Sequence, residues 1–332
     1  MSLLDAQAYV DGVRSGDRAI LARAITLIES EQPAHADLAQ EVLEALLPDT
    51  GGAYRVGISG VPGAGKSTFI DAMGTLLTGK GHRVAVLAVD PTSSVSGGSI
   101  LGDKTRMSAL SNDPNAFIRP SPTSGTLGGV AGKTRESILV CEAAGFDVVL
   151  VETVGVGQSE TIVAGMVDFF LVLLIAGAGD ELQGIKRGIL EVADMLAINK
   201  ADGDNRARAI RAQASYQSAL RLMRAGNVPP VVTCSALEKT GLEELWALVL
   251  ESRVEREASG ELQETRRKQQ VQWMWDMVEH DLRRALRTDS ELAALIHQLE
   301  DAVGEGRATP SAAALKVLRR FAERATDALS RG

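Results

Sequence analysis

The 332-residue sequence predicts an α/β fold in which a mainly parallel, doubly wound sheet carries helical extensions at both ends. Between residues 54 and 250, short apolar runs alternate with segments of helical periodicity, which is the pattern of βαβ units. Outside that region the apolar residues recur only at helical spacing. We therefore expect three parts: a helical N-terminal extension over 1–50, a central α/β domain over 51–255 and a helical C-terminal arm over 256–332.

The elements of the first two parts follow from local patterns. Helical spacing continues to about Leu47, with a turn at 15–17, and a segment rich in turn residues at 48–52 ends it. Ser-, Gly- and Pro-rich segments at 91–102 and 120–132 suit loops that close over a ligand, or only a long surface connection. Strands are expected at 55–59, 83–89, 147–151, 169–175, 195–199 and 231–233.

The C-terminal arm has the pattern of long charged helices. One helix is expected over 251–268 and another over 312–329. Trp273 and Trp275 lie between them in a protein that is poor in aromatic residues. Large apolar side chains on a peripheral helix are typical of an interface, but packing against the same chain would explain them equally well.

Composition and charge indicate an ordinary globular protein. Hydrophobic residues make up 45% of the sequence and charged residues 23%, and 43 acidic against 35 basic residues give a formal charge of −8. We expect basic and acidic residues to be intermixed, with no stretch that gathers Lys and Arg without neighbouring Asp and Glu, and therefore no nucleic-acid partner.

Cysteine usage, the length of the apolar runs and the first residues bear on the compartment and on membrane association. Cys141 and Cys234 form no metal or disulfide pattern, and we expect both to be buried core residues. The longest apolar run, 169–178, is shorter than the roughly 20 residues that span a bilayer. The first residues lack the pattern of a leader peptide. We expect a soluble, cytoplasmic protein without a membrane partner.

The strongest motif is a glycine-rich loop of the form GxxxxGK[ST], placed between a predicted strand and a predicted helix. Its backbone amides and the helix N-terminus favour phosphate, Lys66 can reach the β- and γ-phosphates, and Ser67 can ligate Mg²⁺. This context predicts a P-loop NTPase. The candidate nucleotide-binding residues of the loop are Gly60, Val61, Pro62, Gly63, Ala64, Gly65, Lys66, Ser67 and Thr68.

A second motif, Asn-Lys-Ala-Asp at 199–202, predicts that the base is guanine. The Asp202 carboxylate can accept two hydrogen bonds from the guanine edge, while Asn199 orients the loop and Lys200 covers the ring. Adenine has no such donor pair, so a site built around this carboxylate rejects ATP. Backbone amides of Ser235, Ala236 and Leu237 are candidates for the guanine oxygen.

A third segment, at 148–155, is an apolar strand followed by a carboxylate and a glycine, as in a Walker B strand joined to DxxG. Glu152 takes the usual Asp position and can hold Mg²⁺ through a water or position the attacking water, while the Gly155 amide can donate to the γ-phosphate. Asp90 and Asp103 are further candidates for the metal, although an isolated aspartate is commonly a turn former or helix cap.

Hydrolysis is expected to be slow without a partner. Phosphoryl transfer depends on positioning and charge neutralisation, and no arginine is identifiable as a built-in finger. A partner that supplies or orders the missing group could accelerate turnover by about 10³ to 10⁵. Lys66 is the expected phosphate contact, and Gln158, Glu152 and Asp90 all remain candidates for activating the water.

Taken in order, the glycine loop, the segment Val-Asp-Pro-Thr-Ser at 89–93, the segment 152–160 and the Asn-Lys-Ala-Asp tetrad resemble the MeaB/ArgK family of GTPases over nearly the whole chain. The resemblance implies a chaperone of adenosylcobalamin-dependent methylmalonyl-CoA mutase that couples GTP hydrolysis to cofactor loading and to protection or reactivation of the mutase. It also implies a homodimer formed through the C-terminal arm, with a cobalamin adenosyltransferase as a further candidate partner.

The resemblance implies site residues as well. Family members would use Lys66 and Ser67 at the phosphates and metal, Asn199 and Asp202 at guanine, and a magnesium shell that comprises Ser67, Asp90, Asp103 and Glu152. The segment 177–187 would be either a mobile loop that contacts the mutase or an ordinary strand-to-helix connection.

Three other functions remain open from the sequence. A metal-insertion GTPase would need clustered His or Cys, whereas the four histidines are scattered. An ATP-driven transport or small-molecule kinase subunit would prefer adenine, which Asp202 should reject. A non-catalytic GTP-dependent scaffold would release no phosphate even with its partner present.

Overall fold

The computed structural model describes residues 3–30, 32–89, 107–120, 127–153, 159–177, 187–223, 226 and 228–329. The chain divides into two compact units, Met1–Gln270 and Val271–Gly332. The N-terminal helices belong to the first unit together with the sheet. The domain boundaries expected after residues 50 and 255 stay predictions.

Within the described residues, the first unit is built on one seven-stranded sheet whose strand pairs are all parallel. The strand order is β3-β2-β4-β1-β5-β6-β7, so β1 lies in the middle. The strands are β1 (Tyr54–Gly60), β2 (Val84–Val89), β3 (Ala116–Arg119), β4 (Val148–Thr153), β5 (Phe169–Ile175), β6 (Met195–Asn199) and β7 (Val231–Thr233).

Helices precede, connect and follow these strands. The helices are α1 (Ala6–Arg14), α2 (Arg18–Glu29), α3 (Pro33–Leu46), α4 (Lys66–Gly79), α5 (Ser108–Ser111), α6 (Leu127–Ala143), α7 (Ser159–Ala164), α8 (Arg187–Val192), α9 (Arg206–Met223), α10 (Leu242–Ala258), α11 (Glu261–Thr288), α12 (Ser290–Gly304) and α13 (Pro310–Leu329). Short 3₁₀ turns lie at Leu47–Asp49 and Gly203–Asn205.

Helices cover both faces of the sheet, which confirms the predicted doubly wound α/β fold. Alternate strand residues feed two separate hydrophobic cores. Val56 and Ile58 of β1 belong to the core that includes α4 and α10. Val149 and Val151 of β4 belong to the core on the opposite face, with α6 and α9. Because the strands are buried on both faces, their sequences are almost continuously apolar.

The N-terminal helices pack onto the same face as α6. Tyr9 and Ile25 share one buried cluster with Val149 of β4. Asp17 caps α2 by accepting hydrogen bonds from the backbone amides of residues 19 and 20, at 2.8 and 3.1 Å. The turn predicted at 15–17 is therefore confirmed, and α1 to α3 share the core of the sheet.

Two sequence expectations differ from the structure. The strand β3 was missed because it has only four residues and lies at the sheet edge, where it pairs with β2 alone. The single helix expected over 251–268 is wrong. The chain breaks after Ala258, Gly260 has a φ of +76°, and α11 begins at Glu261.

The second unit contains the rest of α11 together with α12 and α13. Arg324 pairs with Asp289 at 2.8 Å, and Asp289 also caps α12. One side of α11 exposes six large apolar side chains: Val271, Met274, Trp275, Met277, Val278 and Leu282. Among the helices that the structure describes, none combines the length and apolar character that a bilayer crossing requires.

Candidate nucleotide site

The glycine-rich loop connects the central strand β1 to α4, so it lies at the carboxyl edge of a parallel sheet, where ligands of such folds bind. Gly65 precedes α4 with a φ of +83°, which a residue with a side chain rarely adopts. A Cβ atom there would lie 3.0 Å from Asn199 Nδ2. Glycine therefore allows the loop and the Asn-Lys-Ala-Asp segment to approach closely.

Lys66 and Ser67 open α4 and have defined partners. The Lys66 Nζ donates to the Gly60 carbonyl oxygen at 3.0 Å, so the ammonium group spans the loop. The Ser67 hydroxyl donates to Glu152 Oε1 at 3.1 Å. Glu152 is buried near the end of β4. The structure thus brings together two of the residues predicted for the metal, Ser67 and Glu152.

A buried hydroxyl pair lies beside these groups. Thr153 Oγ1 donates to Ser59 Oγ at 2.9 Å, and both residues are fully buried. The contact joins the end of β4 to β1, and it fixes the backbone that carries Glu152. Sequence reasoning did not assign a role to either hydroxyl, although Thr153 directly follows Glu152 in the motif.

Asn199 joins the phosphate side of the site to the base side. Its Nδ2 donates to the Ala64 carbonyl at 2.8 Å, and its Oδ1 accepts from the Ala236 amide at 3.1 Å. The side chain is buried. Because one side-chain amide bonds both loops, Asn199 fixes their separation. Its role at guanine stays a prediction.

Asp202 is oriented by a serine. The Ser235 hydroxyl donates to Asp202 Oδ2, and it accepts in turn from the Glu238 amide at 3.1 Å. Among the described residues, no hydrogen bond engages the other oxygen, Oδ1. The carboxylate is therefore held in place with an acceptor still available.

Of the three backbone amides expected near the guanine oxygen, two are engaged. The Ser235 amide donates to the Thr240 carbonyl at 2.9 Å, and the Ala236 amide donates to Asn199 Oδ1. Leu237 is 78% exposed. The contact that this segment makes with Asp202 therefore comes from a side chain, the Ser235 hydroxyl. The sequence predicted only a backbone amide of Ser235 as a donor.

With this geometry established, comparison with known proteins identifies the family. A family model described as "Methylmalonyl Co-A mutase-associated GTPase MeaB" matches residues 21–291. The chain belongs to this MeaB family. It is a GTPase, as the motifs predicted, and the resemblance inferred from the sequence is confirmed.

Curated relatives of this MeaB-family GTPase are similar over most of their length. GTPase ArgK of Escherichia coli is 53% identical over 273 residues, which are 81% of this chain and 82% of ArgK. The mitochondrial methylmalonic aciduria type A homolog of Mus musculus is 48% identical over 338 residues, covering 96% of this chain and 81% of the homolog. A crystal structure described as a LAO/AO transport system kinase has a TM-score of 0.77 at 40% identity, covering 96% of this chain and 99% of that one.

Four predicted site residues of the MeaB-family GTPase lie outside the described part of the chain. They are Asp90, Asp103, Gly155 and Gln158. Among the residues that are described, no group of three or more His, Cys, Asp or Glu is placed to hold a metal ion. The described site thus contains the loop that opens α4, the Ser67–Glu152 contact, and the pair of Asn199 and Asp202.

Proposed function

We propose that this GTPase is a chaperone of adenosylcobalamin-dependent methylmalonyl-CoA mutase, which couples GTP hydrolysis to cofactor loading and to protection or reactivation of the mutase. The observation that carries the proposal is the match of 21–291 to a family described as associated with that mutase. The similarity to a methylmalonic aciduria type A homolog over 96% of the chain supports it further.

GTP is proposed to bind along the carboxyl edge of the sheet. The triphosphate would lie against the amides of 60–67, with Lys66 leaving the Gly60 carbonyl to contact the β- and γ-phosphates. The Asp202 carboxylate, which Ser235 already orients, would accept the guanine donors through its available oxygen. Gly155 is proposed as the amide that contacts the γ-phosphate.

The donor set fits a magnesium ion. Ser67 and Glu152 present hard oxygen ligands within 3.1 Å of each other, and Asp90 and Asp103 are proposed to complete the shell. When bound, Mg²⁺ would supply charge neutralisation to the phosphates. Lys66 would hold the γ-phosphate, while Glu152, Asp90 and Gln158 remain the candidates that orient the attacking water.

The exposed apolar side of α11 supports a homodimer. Trp275 is 55% exposed, and Met274 is 50% exposed. Contiguous apolar surface of this kind marks protein interfaces. We propose that the C-terminal arm dimerises, that the protein works in the cytoplasm, and that a cobalamin adenosyltransferase is a second partner.

The proposal is tested by measuring GTP hydrolysis with and without the methylmalonyl-CoA mutase of the same organism. We expect slow turnover alone and acceleration of about 10³-fold or more with the mutase, because the chain lacks an identifiable arginine finger. Lys66→Ala, which removes the phosphate contact, is the control for contaminating activity. ATP in place of GTP should give no mutase-dependent rate.

Two outcomes would separate the alternatives. An unchanged rate together with no complex would remove the chaperone assignment and leave the GTPase intact. A complex that forms without phosphate release would instead favour a scaffold.

A further inference from the structure

Helix α9 has an unusual charge pattern for an acidic protein. Its 18 residues include Arg206, Arg208, Arg211 and Arg221 but no Asp or Glu. All four arginines are exposed. The expectation that basic and acidic residues are intermixed along the chain is therefore wrong for this segment.

These arginines do not stabilise the fold through ion pairs. Within the described part of the chain, none of the four guanidinium groups forms a salt bridge or hydrogen bond. On α11, in contrast, several exposed cations pair within the helix, as Arg267 does with Glu264 at 3.0 Å. Arg206 and Arg208 also lie in the first turn of α9, where the helix dipole disfavours positive charge. Helix stability alone does not explain them.

The exposed side of α9 has the composition of a protein interface. Its opposite side is buried through Ala209, Ala212, Tyr216 and Leu220. Between the arginines lie small exposed residues such as Ala214 and Ser218, which would let a partner approach closely. Ile210 is 52% exposed, and Leu222 is 90% exposed. Arginine beside apolar residues is typical of protein interfaces, whereas single-stranded nucleic acid is commonly bound on aromatic side chains, which this exposed side lacks.

Hydrogen bonds hold α9 beside the Asn-Lys-Ala-Asp motif. Gln213 Nε2 donates to the Val231 carbonyl at 2.7 Å, and Gln217 Oε1 accepts from the Val231 amide at 3.1 Å. At its start, Asn205 Nδ2 donates to the Lys200 carbonyl at 2.7 Å. A partner on α9 would therefore contact an element tied directly to the segment that precedes Asp202.

We propose that the cationic face of α9, defined by Arg206, Arg208, Arg211 and Arg221, is a docking surface for an acidic face of the mutase. The inference rests on the proposed function, because it takes its partner from there. The argument for the occupant is charge complementarity. Four unpaired cations on a chain of formal charge −8 attract an acidic protein surface locally, while the chain as a whole repels polyanions.

The test compares Arg208→Gln/Arg211→Gln with the matched control Lys80→Gln/Arg267→Gln. Both variants remove two exposed cations, but the control removes cations that have acidic partners. The measurement is the association rate of the GTP-loaded protein with immobilised mutase, at ionic strengths of about 0.01 M and 0.15 M. Intrinsic GTP hydrolysis and thermal unfolding are recorded for each variant.

We expect the α9 variant to associate roughly ten-fold more slowly at low salt, with a weaker salt dependence than wild type. The control should stay within about two-fold of wild type, and neither variant should change intrinsic hydrolysis. Equal association rates for both variants would overturn the docking surface while leaving the chaperone proposal standing. Absence of any wild-type complex would overturn both.

Two further probes distinguish other polyanions. Single-stranded RNA and phosphatidylserine vesicles are titrated against wild type and the α9 variant. We expect no binding to either probe. Binding that the α9 substitutions abolish, with mutase association unchanged, would overturn the proposal in favour of that polyanion.

Discussion

At the scale of single residues, we propose that one carboxylate oxygen selects the base. Ser235 holds Asp202 Oδ2, and the other oxygen has no partner among the described residues. Replacing that oxygen with an amide nitrogen by Asp202→Asn would set a donor against the guanine donors. We expect GTP affinity to fall by roughly 10²-fold or more, and affinity for xanthosine triphosphate, whose carbonyl at that position accepts, to rise.

Calorimetric titration in magnesium buffer measures both affinities. Asp204→Asn is the matched control, since Asp204 is an exposed acid two residues away that takes no part in the site geometry described above. It should bind GTP as wild type does. Equal affinities for the two variants would contradict the assignment of Asp202 to guanine.

A second residue, Glu136, should make stability depend on pH. Burial raises the pKa of its carboxyl, and nearby Lys133 only partly offsets this. The folded protein therefore holds the proton more tightly than the unfolded chain. Stability is favoured at acid pH and declines as pH rises from about 4.5 through the raised pKa.

Glu136→Gln removes this titration, so the variant should lose less stability than wild type between about pH 4.5 and pH 8. Urea unfolding across that range gives the two slopes. The control is Glu251→Gln, at an exposed site of α10, which should keep the wild-type slope. Parallel curves for Glu136→Gln and wild type would contradict the prediction.

Some of the site could be read from sequence because its motifs are local. The loop from Gly60 to Ser67 and the tetrad that ends at Asp202 lie in short contiguous segments whose strand and helix context was also predictable. The Ser235 hydroxyl contact was not predictable, because it joins residues that are 33 positions apart. Only the folded arrangement of β6 and β7 brings them together.

At the scale of elements, buried strands were predicted well and helix ends poorly. The apolar strand β5 has the predicted bounds because burial on both faces leaves an uninterrupted apolar run. The break between α10 and α11 was missed because the surrounding residues are charged on both sides. Only Gly260 marks it, and helical periodicity is weak in such exposed segments.

The break itself gives a prediction about Gly260. Its φ of +76° costs a residue with a side chain about 1–2 kcal/mol, and no atom lies within 4 Å of an added Cβ. Gly260→Ala should therefore lower the free energy of unfolding by about that amount through backbone strain alone. Thermal and urea unfolding measure the change.

A matched glycine is available at Gly79, the last residue of α4, which also has open space around an added Cβ but no positive φ. Gly79→Ala should leave stability unchanged or raise it by about 0.4–1 kcal/mol. If both substitutions had the same effect, strain at the α10–α11 break would be excluded as the cause.

At the scale of the whole first unit, buried ion pairs lie at the amino ends of the central strands. Arg55 of β1 pairs with Glu142 of α6 at 2.8 Å, and Arg266 of α11 pairs with Asp168 at 2.6 Å. Asp168 also accepts from the Arg55 amide at 2.8 Å. Segments that are far apart in sequence are thereby joined at the edge of the sheet opposite the nucleotide site.

Glu142 and Arg266 also hold residues 51–53, which lead into β1. Glu142 Oε2 accepts from the Gly51 amide at 2.7 Å, and Arg266 donates to the Gly51 and Ala53 carbonyls, each at 2.6 Å. The N-terminal helices, the sheet and the start of α11 are therefore connected through one polar network. The buried polar side chains of Arg55, Glu142 and Asp168 all find hydrogen-bond partners within this network.

Removing Asp168 should be among the most destabilising single changes. Its side chain is fully buried, so Asp168→Ala leaves the half-buried Arg266 charge unpaired and the Arg55 amide without its acceptor. We expect a loss of about 3–5 kcal/mol in the free energy of unfolding, measured by urea denaturation. Glu264→Ala, which breaks an exposed ion pair on the same helix, should leave the unfolding midpoint unchanged.

A double-mutant cycle isolates the pair. Arg266→Met removes the cation, and in the double variant Asp168→Ala/Arg266→Met no unpaired charge remains. The double variant should therefore lose clearly less stability than the sum of the two single losses, because much of each single loss comes from the partner left behind. Additive losses would mean that Asp168 acts through the Arg55 amide alone, and that Arg266 acts through its hydrogen bonds to the Gly51 and Ala53 carbonyls.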